Sequence, residues 1–512
     1  MSMVFGWAAS GLLLSRILNI SRSRSENSSL WTAVLSGVVG LCFLLTAGGE
    51  SSIVVKFIGL VASVLLLVVV SNRENRSDAD ALLYLANGSY IGVGFYFLMM
   101  HQFPSSFPNF WLTISPSASD ALDMLLVCFF FQNLGSYVVW ALLGPWAQSI
   151  RKWASSNRNL VNLSFIRKPQ HQLILFATLS VFGLISRLWN FSLGNFYYTS
   201  ASGIPASVSS FLAQFDRLYV ISWLYGYSLL LQTNFRANKS VRYLTGFLIV
   251  LEFVYQLFSG SKGRFFAFVV VPLASVFMLI KKRLSWYPVL CLGGIGLTSW
   301  LLLYPILVTY RSLLASAIIG GGTAPLDTFI RSWEVLRVIS VDQYTDIILR
   351  PFTSSGIAEQ VIAMTSIVHH QVSQDGNFIL PRLLLFWIPR AIWPSKPSAL
   401  SANLVGRSSG RLPDHDLVTS VVITGPGELY LYYGLLGGSL MILAGLLFRW
   451  MNESISPFKN PSPFRIAVLI AFLPQIGGVL SSSFEASITG IVLQLGVLYA
   501  VLFLVKAIVS PS

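Results

Sequence analysis

The sequence predicts an all-α, polytopic integral membrane protein. Of its 512 residues, 54% are hydrophobic and only 11% are charged, and its mean hydropathy is +0.69. A soluble domain usually has about a quarter of its residues charged. Several apolar stretches approach the ~20 residues that a helix needs to cross the hydrocarbon core of a bilayer. We therefore expect about 12–13 transmembrane helices and one large extracytoplasmic loop between the late spans.

The apolar stretches give thirteen candidate spans. They are residues 3–15, 31–48, 52–70, 82–101, 120–143, 172–190, 207–232, 241–259, 264–281, 286–309, 426–449, 463–481 and 485–506. The first is short, so a position in the membrane interface is its alternative. The chain is thus predicted to divide into transmembrane helices 1–10 within residues 1–310, a long polar stretch over 311–425, and C-terminal transmembrane helices within 426–512.

Lys and Arg concentrate in alternate short loops. The basic loops contain Arg16, Arg22 and Arg24; Arg73 and Arg76; Arg151, Lys152, Arg158, Arg167 and Lys168; Arg236, Lys239 and Arg242; Lys281, Lys282 and Arg283; Arg449 and Lys459. The opposite loops, 102–119 and 191–206, contain no Lys or Arg. The positive-inside rule then predicts cytoplasmic basic loops, an N-terminus outside and a C-terminus inside. It also accounts for the net charge of +14 without a nucleic-acid partner.

The same rule predicts that the long polar stretch lies outside the cytoplasm. The basic residues at 281–283 are inside, the chain then crosses once to Tyr310, and it re-enters the membrane at about Glu428. A connection this long in a compact protein is usually functional or disordered. Its tryptophans, and its helix-compatible pieces at 324–349 and 355–369, favour a folded functional segment.

The three cysteines predict no metal or redox site. Cys42, Cys128 and Cys291 lie far apart in apolar segments, without the spacing of a metal-binding motif. Free cysteine packs like a small hydrophobic residue, so we expect these three to fill space between helices.

Basic residues at the outer ends of several spans form the first candidate site. They are Arg187, Arg217, Lys262, Arg264 and Arg311. Ionisable groups within spans usually face a bundle interior or an aqueous cavity, and guanidinium groups suit a phosphate or diphosphate. The alternatives are snorkelling of Arg187 and Arg311 to the interface, and pairing of Arg217 with Asp216 or Glu252.

The turn SGSKGRFF, residues 259–266, contains two of these basic residues. Its glycines allow the backbone N–H groups to approach an anion, and the next helix begins with its positive dipole end at the same place. The alternative is an ordinary short turn.

The segment FWIPRAIWPSKP, residues 386–397, is the second candidate site. Its prolines fix the backbone, so Arg390, Trp393 and Lys396 belong to a rigid, shaped segment. A tryptophan there suits stacking on a sugar, or alternatively anchoring at the membrane interface.

Candidate proton acceptors lie in and after the long polar stretch. They are His369, His370, Asp414, His415, Asp416 and Glu428. A histidine is poised near neutral pH. Glu428 begins a span, where an unpaired carboxylate is costly to bury, so a structural contact with an arginine is the alternative to a role in chemistry.

With SGSKGR between spans, IPRAIWPSKP in a long outer loop and GPGELYLYYGLLGG entering a span, the chain resembles the O-antigen polymerase (Wzy) and oligosaccharide repeat-unit polymerase family. The motifs cover about residues 180–450. The matching positions are Lys262, Arg264, Pro389, Arg390, Trp393, Pro394, Lys396, Pro397, Gly425, Gly427, Glu428, Tyr430 and Gly434. The family turn often has Ser-Gly-Ser-Arg-Gly, whereas here Lys262 takes the first basic position and Arg264 follows the glycine.

The resemblance implies a bacterial inner-membrane glycosyltransferase of the GT-C type, which uses no nucleotide sugar, metal or cofactor. Its substrates would be undecaprenyl-diphosphate-linked oligosaccharides, with a chain-length regulator as a candidate partner. The expected catalytic residues are Arg264, Arg390, Glu428 and His415; those for the diphosphate are Arg187, Arg217, Lys262, Arg264 and Arg311; those for the glycan are Trp393, Lys396 and Tyr430. The alternatives are an O-antigen ligase-type transferase and a polysaccharide transporter or flippase.

Overall fold

The computed structural model describes the following parts of the chain: residues 54–63, 86–87, 90, 115–143, 168–192, 206–232, 235, 238–258, 301–311, 313, 325–345, 347, 424–455, 462–481 and 483–509. All regular secondary structure within these ranges is helical. The predicted spans 3–15, 31–48 and 264–281 lie outside the described residues, and the spans 52–70, 82–101 and 286–309 are described only in part.

Six helices among the described residues precede the long polar stretch. They are α1 (Val54–Ser63), α2 (Ser115–Asn133), α3 (Pro169–Ser192), α4 (Ala206–Leu230), α5 (Lys239–Phe258) and α6 (Leu301–Arg311). A π-helical turn, Leu134–Val139, and a short α-helical piece, Trp140–Leu142, extend α2.

Five further described helices begin within or after that stretch. They are α7 (Pro325–Val338), α8 (Gly425–Tyr433), α9 (Met441–Ile455), α10 (Pro463–Ser481) and α11 (Phe484–Val509). A 3-10 helix, Gly434–Leu440, joins α8 to α9.

Five described segments are long and apolar enough to cross a membrane. They are Leu122–Val139, Pro169–Trp189, Lys239–Phe258, Gly425–Asn452 and Phe484–Val509. Each agrees within a few residues with a span predicted from hydropathy. The chain is therefore an α-helical membrane protein.

Side-chain contacts establish the relative directions of α3, α4 and α5. Arg187, near the end of α3, contacts Asp216 in the first half of α4 and Glu252 near the end of α5. Because one side chain joins the end of two helices to the first half of the third, α4 runs antiparallel to both neighbours.

Two further contacts orient α10 and α11 against α4. Tyr225 of α4 packs edge-to-face on Phe464 at the start of α10, with ring centroids 5.5 Å apart. Arg217, in the first half of α4, donates to Gln494 in the first half of α11. The first contact shows that α10 runs antiparallel to α4. Only residues 482 and 483 separate α10 from α11, so α11 runs back along α10 and therefore parallel to α4.

These directions give the bundle two chemically different ends. We call the end that contains Arg187, Asp216, Glu252 and Glu428 the polar end. At the opposite end, which we call the basic end, lie Lys168, Lys239, Arg449, Arg465 and Lys506. The positive-inside rule predicts a cytoplasmic basic end and an extracytoplasmic polar end.

Helix α4 lies at the centre of this part of the bundle and contacts α3, α5, α10 and α11. Trp223, Tyr219 and Tyr225 on α4 are fully buried, together with Ser222 and Ser228. A helix surrounded by protein can carry hydroxyl and charged groups that lipid would exclude.

An amide cluster stabilises the α2 region. Asn87 Nδ2 donates to Asn133 Oδ1 at 3.1 Å, Gln132 Nε2 donates to Asn87 Oδ1 at 3.1 Å, and Tyr90 Oη donates to Gln132 Oε1 at 3.0 Å. All four side chains are buried. In a membrane, apolar side chains contact lipid about as favourably as they contact another helix. Hydrogen bonds between buried polar side chains therefore help to hold the helices together.

Candidate functional site

Charged and amide side chains from α3, α4, α5, α8 and α11 gather at the polar end. The structure thus brings together several groups that are far apart in sequence. Among the predicted site residues, Arg187, Arg217, Arg311, Glu428 and Tyr430 lie within the described residues. We consider them in turn.

Arg187 forms a buried ion triad with two carboxylates. Its Nη1 donates to both oxygens of Asp216 at 2.6 Å, and its Nη2 donates to Glu252 Oε2 at 2.5 Å. Arg187 is 2% exposed and Glu252 1%, whereas the Asp216 side chain keeps 34% of its surface exposed. The triad therefore joins α3, α4 and α5 through one guanidinium group.

Neighbouring side chains fix the geometry of the triad. Gln256 Nε2 donates to Glu252 Oε1 at 2.6 Å, so both oxygens of Glu252 are engaged. The Tyr255 ring lies 3.8 Å from the Arg187 guanidinium carbon, and the Tyr219 ring lies 5.0 Å from it. Aromatic faces attract a guanidinium cation. Arg187 is thus enclosed by two carboxylates and two aromatic rings.

This geometry differs from both interpretations of Arg187 drawn from the sequence. The side chain does not snorkel, because it is buried, and its guanidinium faces carboxylates instead of the interface. A diphosphate at Arg187 would have to compete with Asp216 and Glu252. The internal pairing considered for Arg217 is made by Arg187.

Arg217 points in another direction from the adjacent Asp216. Its Nε donates to Gln494 Oε1 of α11 at 3.2 Å. Successive residues of an α-helix are about 100° apart around the axis, so Asp216 faces α3 while Arg217 faces α11. Gln494 is thus a neutral amide partner of this guanidinium on α11.

The segment TGPGELYLYYG, residues 424–434, forms α8 and its two caps. The threonine and the glycines in it each have a structural role. Thr424 is the N-cap, and its Oγ1 accepts from the Gly427 N–H at 2.9 Å. A Cβ at Gly425 would collide with the carbonyl oxygen of Val479 in α10. Gly434 ends the helix with φ +59°, a conformation that favours glycine. These contacts hold the start of α8 tightly against α10.

Glu428 lies in the first turn of α8 and is fully buried. Its two oxygens accept from Ser483 Oγ at 3.0 and 2.9 Å, and one also accepts from the Glu485 N–H at 3.1 Å. Ser483 and Glu485 are at the start of α11, where the helix dipole favours an anion. Glu428 therefore joins the starts of α8 and α11. Tyr430, two residues on, is partly buried against the core.

Arg311 is the last residue of α6 and follows Tyr310, whose hydroxyl donates to the Phe258 carbonyl at 3.0 Å. Phe329 of α7 packs on both, with ring centroids 5.7 Å from Tyr310 and 5.7 Å from Phe258. Tyr344 then donates its hydroxyl to the Leu301 carbonyl at 2.6 Å. The first described part of the long polar stretch is thus helical and packed along α6, within the region where the sequence predicts helix.

The other predicted site residues lie outside the described residues. They are Lys262, Arg264, Arg390, Trp393, Lys396 and His415, and the candidate acids and histidines at 369, 370, 414 and 416 also fall there. In the parts of the chain that the structure describes, no group of three or more metal-ligating side chains is found.

Gln494 and Ser483 are among the polar-end residues that were not identified from the sequence. Gln494 is an amide within the apolar helix α11, and such an isolated amide in a span is a signal of an internal partner. Ser483 precedes Phe-Glu-Ala at the start of a helix and accepts from the Ala486 N–H at 3.2 Å, which is the pattern of an N-cap. Either signal is visible in the sequence, but neither identifies the partner.

Comparisons with family models, with curated proteins and with solved structures gave no match.

Proposed function

We propose that this protein is a membrane-embedded glycosyltransferase of the GT-C type. It polymerises undecaprenyl-diphosphate-linked oligosaccharide repeat units into a surface polysaccharide, on the outer face of the bacterial inner membrane. The proposal combines the motif resemblance with the arrangement of the polar end.

The observation that carries the proposal is the position of Arg217 and Arg311. Arg311 ends α6 at the polar end, and Arg217 lies near the middle of α4, beside Asp216, in helices otherwise dominated by apolar residues. The motif helix α8 starts at this same end through the contact of Glu428 with Ser483. Cations held at the end of a membrane bundle suit a lipid-linked diphosphate, whose lipid remains in the bilayer.

The reaction is a transfer of the growing chain. A hydroxyl oxygen of the terminal sugar on one lipid-linked repeat unit attacks the anomeric carbon of the lipid-linked chain. The bond between that carbon and the diphosphate oxygen breaks, and the electron pair leaves with undecaprenyl diphosphate. The hydroxyl proton passes to a base. One glycosidic bond forms and one glycosyl phosphate bond breaks, so no oxidant or cofactor is needed.

In this mechanism, the basic residues stabilise the charge that develops on the departing diphosphate, an effect that usually makes a large contribution to catalysis. We assign this role to Arg217, Lys262, Arg264, Arg311 and Arg390. Trp393, Lys396 and Tyr430 would contact the glycan. His415 is the candidate proton acceptor, with an expected contribution of about 10²–10⁴-fold for a general base.

Glu428 has a different role in this proposal. Its oxygens already accept hydrogen bonds from Ser483 and Glu485, and no surface of the side chain is exposed. A proton acceptor must reach its substrate within hydrogen-bond distance. We therefore assign Glu428 to holding α8 on α11, instead of to proton transfer.

The test is the glycan profile of a deletion strain complemented with variants. Wild-type protein should restore long chains, whereas Arg264→Ala and Arg390→Ala should leave single repeat units while the protein remains in the membrane. Arg242→Ala, an exposed arginine at the basic end, is the matched control and should behave as wild type. Unattached long polymer in the deletion strain would indicate a ligase instead, and inward-facing lipid-linked units would indicate a flippase.

A further inference from the structure

Helix α6 contains a proline four residues after Leu301. In a regular α-helix, the N–H of the fourth residue on would donate to the Leu301 carbonyl, but residue 305 is proline and has no N–H. The Tyr344 hydroxyl donates to this same carbonyl at 2.6 Å. In a membrane, a neighbouring side chain can replace a helical hydrogen bond that a proline removes. Tyr344 therefore supplies the donor that Pro305 lacks.

Two contacts show how far the chain from α7 onwards extends along α6. Phe329 of α7 packs on Tyr310, at the outer end of α6, whereas Tyr344 contacts Leu301. Tyr310 and Leu301 are nine residues apart, which is about 13 Å along an α-helix. The hydrocarbon core of a bilayer is about 30 Å thick. Because α6 ends the predicted span 286–309, Tyr344 lies at the level of the membrane interior.

The chain between α7 and Tyr344 is bent and capped. Helix α7 ends at Val338, and a capping box begins the next helical turn. The Ser340 N–H donates to Gln343 Oε1 at 3.1 Å, and the Gln343 N–H donates to Ser340 Oγ at 3.3 Å. The Tyr344 N–H then donates to the Ser340 carbonyl at 3.0 Å. These bonds fix the short helical turn from which Tyr344 reaches α6.

The side chains around Tyr344 are polar and exposed. They include a carboxylate, an amide and a hydroxyl, on Asp342, Gln343 and Thr345. At membrane depth a carboxylate almost always faces the protein interior or a water-filled cavity, because lipid solvates charge poorly. The exposed surface of Asp342, so close to Leu301, therefore requires water.

We propose that residues 340–345 re-enter the membrane beside α6, that Tyr344 docks them on the carbonyl of Leu301, and that they border a water-filled cleft open to the outer face. The cleft extends the polar environment of the outer face towards the middle of the bilayer. This inference goes beyond the proposed function and does not depend on it.

The test is cysteine labelling of the full chain in intact spheroplasts, with two membrane-impermeant maleimides. One is small, and the other carries a long polyethylene glycol chain. Thr345→Cys should react with the small reagent, whereas the narrow cleft should exclude the large one. Leu326→Cys, at the exposed start of α7, is the matched control. The ratio of small-reagent to large-reagent rates should be at least tenfold higher for Thr345→Cys than for Leu326→Cys.

Val250 supplies the control for depth. It is 61% exposed and lies eight residues before Phe258, which is about 12 Å along α5. The Tyr310 hydroxyl donates to the Phe258 carbonyl at 3.0 Å, so Val250 and Leu301 lie at similar depths. Val250→Cys should react with neither reagent, because it faces no aqueous cleft. Labelling after denaturation confirms that each variant is present.

Three results would overturn the proposal. If Val250→Cys reacted with the small reagent, this level would lie outside the hydrocarbon core. If Thr345→Cys failed to react with the small reagent, no water-filled cleft would reach it. If Thr345→Cys and Leu326→Cys had equal rate ratios, the segment would be open at the surface and would not re-enter the membrane.

Tyr344→Phe, made in the Thr345→Cys chain, tests the docking hydrogen bond. It removes the hydroxyl that donates to Leu301, so the segment should be released and the rate ratio should fall towards that of Leu326→Cys. Tyr243→Phe, at a tyrosine of α5 that is 72% exposed, is the matched control and should leave the ratio unchanged. An unchanged ratio in Tyr344→Phe would overturn the docking role of Tyr344.

Discussion

Ser483 Oγ donates to the carboxylate of Glu428 across 55 residues of sequence, at 3.0 and 2.9 Å from its two oxygens. The bond joins the first turn of α8 to the N-cap of α11. It explains why an acidic residue is accommodated in a fully buried position at a helix start, since the α11 dipole and the Glu485 N–H stabilise the same carboxylate.

The first prediction concerns this contact. Glu428→Gln and Ser483→Ala should each lower the stability of the purified protein, Glu428→Gln by about 1.5–3 kcal/mol because charge-assisted bonds are lost. The double variant should lose less than the sum, with a coupling energy of at least about 0.5 kcal/mol. Thermal unfolding in detergent measures the effect.

Thr489→Val is the matched control for the hydroxyl. Thr489 Oγ1 donates only within α11, to the carbonyl of Glu485 at 2.7 Å and that of Ala486 at 3.4 Å. It should change stability by less than about 0.5 kcal/mol. Additive losses from Glu428→Gln and Ser483→Ala would contradict the coupling that we assign to the pair.

The second prediction concerns the glycine that begins α8. Gly425→Ala places a methyl group against the Val479 carbonyl oxygen, so overpacking should cost about 1–3 kcal/mol. Gly496→Ala, in the open middle of α11, meets nothing within 4 Å and should be neutral or stabilising by up to about 1 kcal/mol. Unfolding midpoints of the two variants should therefore move in different directions, and equal losses would be inconsistent with the close approach of α8 to α10.

A third prediction tests the anchoring of α7. Phe329→Ala removes the ring that packs on Phe258 and Tyr310, so α7 should detach locally while the bundle stays folded. Hydrogen–deuterium exchange should rise over 325–338. Trp333→Ala is the control, because it removes a side chain of α7 that is 46% exposed. Hydrogen–deuterium exchange of residues 325–338 in this variant should remain near that of the wild-type protein. Equal protection in both variants would argue against Phe329 as the anchor.

The fourth prediction tests the orientation of the bundle. Leu326 on α7 and Arg242 at the start of α5 are both exposed, and they are predicted to lie on opposite sides of the membrane. A cysteine at 326 should react with a membrane-impermeant maleimide in intact spheroplasts, whereas a cysteine at 242 should react only after permeabilisation. The chain with its three native cysteines provides the background signal, and the reverse labelling pattern would invert the proposed topology.

Local properties of the sequence were sufficient for the helical architecture described above. Apolar runs of membrane-spanning length predicted the helices Pro169–Ser192, Lys239–Phe258 and Phe484–Val509 within a few residues. This was possible because a helix crosses the bilayer only where about 20 consecutive residues are mostly apolar, which is a local property of the sequence. Alternation of basic loops predicted the two ends of the bundle in the same way. Pro426 and the glycines around it likewise marked the boundary where α8 begins.

The partners of the buried charges depended on the three-dimensional packing. Nothing local distinguishes Arg187 from Arg217 as the partner of Asp216, and the closer residue in sequence is not the one that pairs. The choice follows from the rotation of α4 about its axis, which turns Asp216 towards α3 and α5 and Arg217 towards α11. Helix rotation is set by packing against four neighbouring helices at once, so only the folded bundle separates the enclosed arginine from the one that faces Gln494.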